Sequence, residues 1–316
     1  ELAGPIRSSF SPGRRRRTGC RYPNVRQLDR CGCTHETRFF RASELARFPN
    51  TAWKVKTAVD NWYDYPQYWE LAFAEDTKPE SDFIEAACAK YAGRPVKRML
   101  EPGCGSGRLV MEMTRRGYRM AGLDLNVPSL EFLRGRLSKR GWKAEILEAD
   151  MSDFQLKRPV DCAFNTFSTF RHLLTETAAE NHFRAVSAAL NPGGLYLLGL
   201  HLLPPDAALE CTERWRAERG KTKVVYTFRV TGTDLRKRLE SIRVNLLVKR
   251  PKGDLKLVTE FNLRTYTARQ LRGLLAKVPE FELLDVFDYN YDLSNPLRLS
   301  DEMSDTILVL RKRSEA

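Results

Sequence analysis

An alternation of short apolar runs with helical stretches constrains this 316-residue chain more than any other feature. After Gly93 the apolar runs fall at residues 96–100, 118–123, 144–147, 160–164 and 195–200, with amphipathic stretches at 109–116, 129–139 and 178–190. Such a pattern predicts a parallel sheet with helices on both faces, because parallel neighbours need a crossover that packs back onto the sheet. Gly117 and Gly141 stand where the first two helices must stop, and Asn191-Pro192-Gly193-Gly194 predicts a turn between the third helix and the fifth strand. A helical stretch at 268–278 and apolar runs at 281–289 and 306–311 then complete a doubly wound α/β sheet of seven strands, mostly parallel.

Between the fifth and sixth strands the period changes to two. Ile242, Val244, Leu246 and Val248 share one face while Arg243, Asn245 and Lys249 take the other, and Pro251-Lys252-Gly253-Asp254 predicts a hairpin turn. An antiparallel β cap is therefore expected as an insertion at residues 206–266. Residues 51–93 read as a helical cover whose aromatic cluster, Trp62, Tyr63, Tyr65, Tyr68, Trp69 and Phe73, is either a core-covering stripe or a lid that reaches a ligand. Residues 1–50, with the run Arg14 to Arg17 and no sustained apolar period, are expected to be a basic, disordered arm. The core sheet then occupies 94–205 and is completed by 267–316.

Charge narrows the partners. The net charge is +13, but residues 1–50 hold eleven arginines against four acids, a net of +7, which leaves +6 for the other 266 residues. The basicity belongs mostly to the arm, and this weakens the case for a nucleic-acid partner. Seven cysteines are too few and too odd in number for a disulfide scaffold, no charged-then-apolar leader opens the sequence, and a reducing, cytoplasmic setting is expected. Cys20, Cys31, Cys33 and His35 match no paired zinc knuckle, so no metal is expected. No apolar stretch approaches the roughly 20 residues of a spanning helix, and no membrane partner is expected.

The chemistry concentrates at Glu101-Pro102-Gly103-Cys104-Gly105-Ser106-Gly107, where a strand runs into a glycine-rich turn and then a helix. Glycines serve where the backbone takes positive φ or a ligand lies against it, and the helix start presents unpaired N–H groups. The dinucleotide fingerprint needs a third glycine where Arg108 stands, so an adenosine ligand without phosphates fits better than a nicotinamide dinucleotide. Acids end the neighbouring strands. Asp124 lies 23 residues after Glu101, near the spacing at which an acid accepts from ribose hydroxyls; Asp150, followed by Met151, can accept from an adenine amine beside a packed thioether; Asn165 closes the fourth strand. Strand ends of such a sheet converge on one crevice. The plainer alternatives are that Asp124 caps a helix and Asp150 a turn.

With Gly122-Leu-Asp-Leu125, Glu148-Ala-Asp-Met151 and the Asn191 turn added, the chain resembles the class I, Rossmann-like S-adenosylmethionine-dependent methyltransferases over residues 60–312, best at 96–201. The resemblance implies a seven-stranded sheet with the last strand antiparallel and S-adenosyl-L-methionine as cofactor. It implies cofactor contacts from Glu101, Gly103, Cys104, Gly105, Asp124, Leu125, Asp150, Met151, Asn165 and, from the cover, Tyr68. The expected activity is methyl transfer to an O, N or C atom of a small molecule by in-line displacement, where orientation does most of the work. If the acceptor must lose a proton, His172 after the fourth strand and His201 at the end of the fifth are the catalytic candidates. Two alternatives stay open: an RNA or protein methyltransferase docking through the basic arm, and a nonenzymatic nucleotide sensor.

Overall fold

The computed structural model describes residues 56–59 and 61–314. The expected basic arm and the Cys20 to His35 group lie outside the described residues.

Seven strands form the main sheet: β2 (Arg98–Pro102), β3 (Arg119–Asp124), β4 (Glu145–Glu148), β5 (Val160–Asn165), β6 (Leu190–His201), β11 (Phe281–Phe287) and β12 (Asp305–Lys312). Their order is β11-β12-β6-β5-β2-β3-β4. Strands β2 to β6 pair in parallel, and β12 runs antiparallel to both β6 and β11, so the last strand is the reversed one. The order turns back between β2 and β5, which opens a crevice outside the carboxyl ends of those strands. Helices α2 (Thr77–Tyr91), α3 (Arg108–Arg115) and α4 (Val127–Lys139) cover one face; α5 (Glu176–Ala189) and α6 (Ala268–Ala276) cover the other. The central strands are buried on both sides and read as continuous apolar runs, with Leu195, Leu197, Leu198 and Leu200 fully buried.

A second sheet has the order β1-β10-β9-β8-β7, where β7 is Cys211–Arg219, β8 Thr222–Asp234, β9 Leu239–Lys249 and β10 Leu255–Arg264. Period-two alternation sets its dry face: Ile242, Val244, Leu246 and Val248 are buried, and the side chains of Trp62, Tyr68 and Phe73 pack against that face. The cover is not wholly helical. Besides α1 (Pro66–Ala72), α2 and a 3-10 turn at Trp62–Asp64, it supplies β1 (Lys56–Val59), which adds in parallel to β10 at Leu255 to Val258. Four residues carry too little periodicity to announce a strand, and an open sheet edge supplies the pairing instead.

The Asn191 turn also differs from expectation. Helix α5 ends at Ala189 as the turn requires, but β6 is continuous from Leu190, with a register shift against β5 and Gly193 at φ 72°. The Asn191 amide donates to Asp161 Oδ1 at 2.9 Å, and this anchors the irregular stretch to β5.

His182 on α5 illustrates how the core treats charge. It is fully buried, with Nδ1 2.8 Å from the Met151 carbonyl and Nε2 2.6 Å from the Tyr196 hydroxyl. A carbonyl only accepts, so Nδ1 carries the proton and Nε2 accepts from Tyr196. Burial pushes the imidazole down from 6.5 to about 4. The unfolded chain then binds the proton more readily than the folded one between those values. Stability is fully present above about pH 6.5 and falls as pH drops toward 4, by up to about 3 kcal/mol for this one group. Thermal melts across that range should show the loss, and His182→Gln, whose amide can make both contacts, should show a shallower slope. An unchanged slope would refute the assignment.

Candidate active site

A cavity of about 1430 Å³ opens at the carboxyl ends of β2, β3, β5 and β6, roofed by the Trp62–Asp64 turn, α1 and the dry face of the small sheet. Its floor is the glycine turn after β2. Gly103 sits at φ 67°, and a Cβ there would lie 2.5 Å from Thr169 Cγ2; Gly107 sits at φ 74°, and a Cβ there would strike Leu133 at 2.4 Å. The turn thus needs glycine for both conformation and close approach.

The turn and the next strand are joined directly. The Gly105 N–H donates to Asp124 Oδ2 at 2.7 Å, and Asn126 N–H donates to Oδ1 at 2.8 Å. Burial raises the Asp124 carboxyl above its ordinary range, and these N–H groups oppose the rise. Asn126 also fastens the roof: its amide donates to Asp64 at 2.6 Å while Ser129 Oγ donates to the Tyr63 carbonyl at 2.9 Å.

The other predicted site residues are distributed less evenly. Glu101, Cys104, Leu125, Asp150, Met151 and Asn165 all line the cavity. Cys104 is buried and its thiol packs toward Gly122, so it offers the cavity mainly backbone. Leu125 is exposed at the rim. Asp150 Oδ1 already accepts from the N–H and hydroxyl of Ser152, at 2.7 and 2.8 Å. Asn165 is a strut: it donates to the Pro102 carbonyl at 2.9 Å and accepts from Phe170 N–H at 3.2 Å. Tyr68 does not line the cavity. Its ring stacks on Tyr65 and its hydroxyl accepts from Arg250 at 2.8 Å, because helix α1 turns that face toward the small sheet. Tyr63, on the preceding 3-10 turn, is the tyrosine that lines it.

Both candidate histidines line the cavity. His172 Nε2 lies 3.1 Å from the Tyr63 hydroxyl and its ring stacks on Phe261; burial, helped by Arg171, pushes it down to about 4. His201 Nδ1 lies 2.8 Å from Asp305 Oδ1, and burial lowers its pKa against the pull of that carboxylate. The sequence reading missed Asp305, which β12 brings from 104 residues away.

It also missed the polar group behind the glycine turn. Arg108, at the start of α3, donates through Nη2 to Glu80 of α2, and Glu80 in turn accepts from the Thr166 hydroxyl; Arg108 and Glu80 are both buried. A charged residue where the dinucleotide fingerprint has glycine was the only sequence signal for this group.

Sheet order, reversed last strand, glycine turn and strand-end acids together define a Rossmann-like, class I S-adenosylmethionine-dependent methyltransferase. Residues 99–194 match the family described as methyltransferase domain, and the chain belongs to that class. A protein of Geobacillus sp. (strain WCH70) named as a methyltransferase is 24% identical over 141 residues, 44% of this chain; the match spans 57% of that relative, so the chain covers little more than half of it. Among solved structures, an S-adenosylmethionine-dependent methyltransferase from Clostridium acetobutylicum superposes with a TM-score of 0.65 at 17% identity, covering 81% of this chain and 100% of that one. An amino pentose methyltransferase from Micromonospora echinaspora, solved with S-adenosylmethionine bound, gives 0.57 at 20% identity, covering 88% and 100%. At these identities the two structures establish a shared fold.

The cofactor of this family fits the site. Glu101 presents a buried Oε2 with no hydrogen-bond partner among the described residues, beside a turn whose Gly105 leaves open space where a Cβ would stand. Buried polar atoms without partners are rare, and a ligand is the usual reason for them. No helix among the described residues is long and apolar enough to cross a membrane.

Proposed function

We propose that this protein methylates an amine nitrogen of a small molecule held between the main sheet and the small sheet. The lining of the cavity carries this reading. At about 1430 Å³ it exceeds the roughly 300–1,000 Å³ typical of a single-ligand pocket, which leaves room for an acceptor beside the cofactor. Eight carboxylates line it, while Arg108 is its only arginine or lysine among the described residues, in a chain of net charge +13. Glu101, Asp124 and Asp150 are allotted to the cofactor; Glu75, Asp76, Asp288, Glu302 and Asp305 are not. Facing them are the rings of Trp69, Phe73, Phe167, Trp215, Tyr226 and Phe228. Acids and aromatic faces together favour a cation over an anion, and the rings pack an apolar scaffold. The amino pentose methyltransferase with the same fold is consistent with this reading.

S-adenosylmethionine bound here supplies an electrophilic methyl group. Asp124 would hold the ribose and Met151 would pack by the adenine. The aromatic wall would orient the acceptor and keep water out, which contributes most of the acceleration in such a transfer. An amine is protonated at neutral pH and must shed a proton before its lone pair can react. With Nδ1 donating to Asp305, a neutral His201 has its basic nitrogen at Nε2, and a pKa lowered by burial keeps it neutral. We assign His201 as the proton acceptor and Asp305 as its positioning partner.

Methyl-labelled cofactor offered with amino sugars and with the matching hydroxyl sugars should label the amino sugars alone. His201→Gln should lower kcat by about 10² to 10⁴ while S-adenosylhomocysteine affinity, read by calorimetry, stays the same. Labelling of hydroxyl sugars with the amino sugars ignored would overturn the amine assignment. The cavity continues well past the cofactor residues to the aromatic wall, a space that a nonenzymatic sensor does not require.

A further inference from the structure

Arg108 is buried to 5% exposure, yet Nε and Nη1 have no hydrogen-bond partner among the described residues. Only Nη2 is engaged, by Glu80. Glu101, with its partnerless buried Oε2, stands close enough for its charge to act on the guanidinium, and both side chains line the cavity floor. One buried donor group and one buried acceptor group, both incomplete, therefore share a wall of the same cavity. Leaving such groups unpaired is costly, and guanidinium is the side chain best matched to a carboxylate. The molecule that completes both at once has a carboxylate and an ammonium a few bonds apart.

We propose that Arg108 binds the α-carboxylate of the cofactor's amino-acid end while Glu101 takes its ammonium, and that Glu80, held by Thr166, positions Arg108. The proposal rests on the cofactor reading above but not on the identity of the acceptor. The residue that excludes a pyrophosphate from this turn thus acquires a positive role: where a dinucleotide fold has glycine to admit phosphates, this chain has an arginine to receive a carboxylate. Glu80 is suited to hold that arginine because it is fully buried and spends one oxygen on Arg108 and the other on Thr166. The arrangement ties α2, α3 and the end of β5 to one point beneath the ligand.

Calorimetry on the full chain with three adenosyl probes tests this. S-adenosylhomocysteine has both charged groups, its decarboxylated analogue has only the amine, and 5′-methylthioadenosine has neither. Arg108→Met should weaken S-adenosylhomocysteine about 10- to 100-fold, the size of one charge-assisted contact, and leave the other two probes within about threefold. Glu101→Gln should weaken S-adenosylhomocysteine and the decarboxylated analogue and spare 5′-methylthioadenosine. Arg108→Met alone strands the buried charge of Glu80, so the double variant Arg108→Met, Glu80→Gln, which removes the pair together, should repeat the selective loss in a stable protein. An equal loss for all three probes would mean that Arg108 only supports the fold, and no loss for S-adenosylhomocysteine would mean that its carboxylate lies elsewhere; either result overturns the proposal. If the unaltered chain binds 5′-methylthioadenosine as tightly as S-adenosylhomocysteine, this inference fails while the cofactor reading stands. If it binds none of the three, both fail.

Discussion

Asp124→Ala should reduce the affinity for S-adenosylhomocysteine by about 10² to 10⁴. The carboxylate ends β3 at the mouth of the cavity, where it accepts from Gly105 and Asn126 and keeps further lone pairs for a ligand. Two charge-assisted hydrogen bonds to a ribose diol contribute about 1.5–3 kcal/mol each, and every 1.4 kcal/mol is tenfold. The substitution also releases the Gly105 N–H from its tether, so the turn loses part of its shape before any ligand arrives. Asp124→Asn keeps a neutral acceptor and should fall between the two. Titration calorimetry decides the matter, and an Asp124→Ala protein that binds like the unaltered chain would remove the ribose from this position.

The largest effect on the fold is expected from Gly199→Ala. Gly199 lies in β6, and a Cβ there would stand 2.5 Å from the Thr166 carbonyl oxygen and 2.9 Å from the Thr166 carbonyl carbon and Cα. Those are backbone atoms of the neighbouring segment, which cannot swing aside as a side chain can. Overpacking of this kind costs about 3 kcal/mol or more, or roughly 6–10 °C in Tm for a domain of this size. Displacing Thr166 also disturbs the hydroxyl that holds Glu80, so cofactor affinity should fall in the same variant. Gly273→Ala is the control. It lies in α6 with nothing within 4 Å of the added carbon, and alanine there should stabilise by about 0.5–1 kcal/mol. Equal melting temperatures for the two variants would show that β5 and β6 are not packed as described.

The parts of the site that could be read in the sequence are those set by neighbouring residues. A strand entering a glycine turn and a helix announces itself through local pattern, as do acids at the ends of the next strands. The structure brings Glu101, Gly103, Gly105, Asp124 and Asp150 to one cavity, as that pattern predicts. Contacts across long stretches of chain could not be read. Asp305 reaches His201 across 104 residues and Glu80 reaches Arg108 across 28, and no periodicity marks either acid. Tyr68 and Tyr63 are separated by less than two turns of chain, and nothing local says which one faces the ligand. That choice follows from how α1 docks on the small sheet, which buries Tyr68 beside Arg250 and leaves Tyr63 against His172.

By itself the sequence determined the alternation of strands and helices, the place of the period-two cap and the kind of ligand the glycine turn admits, because each depends on backbone preferences and apolar spacing within a few residues. Only the tertiary structure decided which charged groups face one another. Burial sets whether a carboxyl or imidazole keeps its charge, and burial is a property of the packed segments around it. The acidic, aromatic interior of a basic chain, and the half-satisfied arginine at its floor, exist only once distant segments have closed over them.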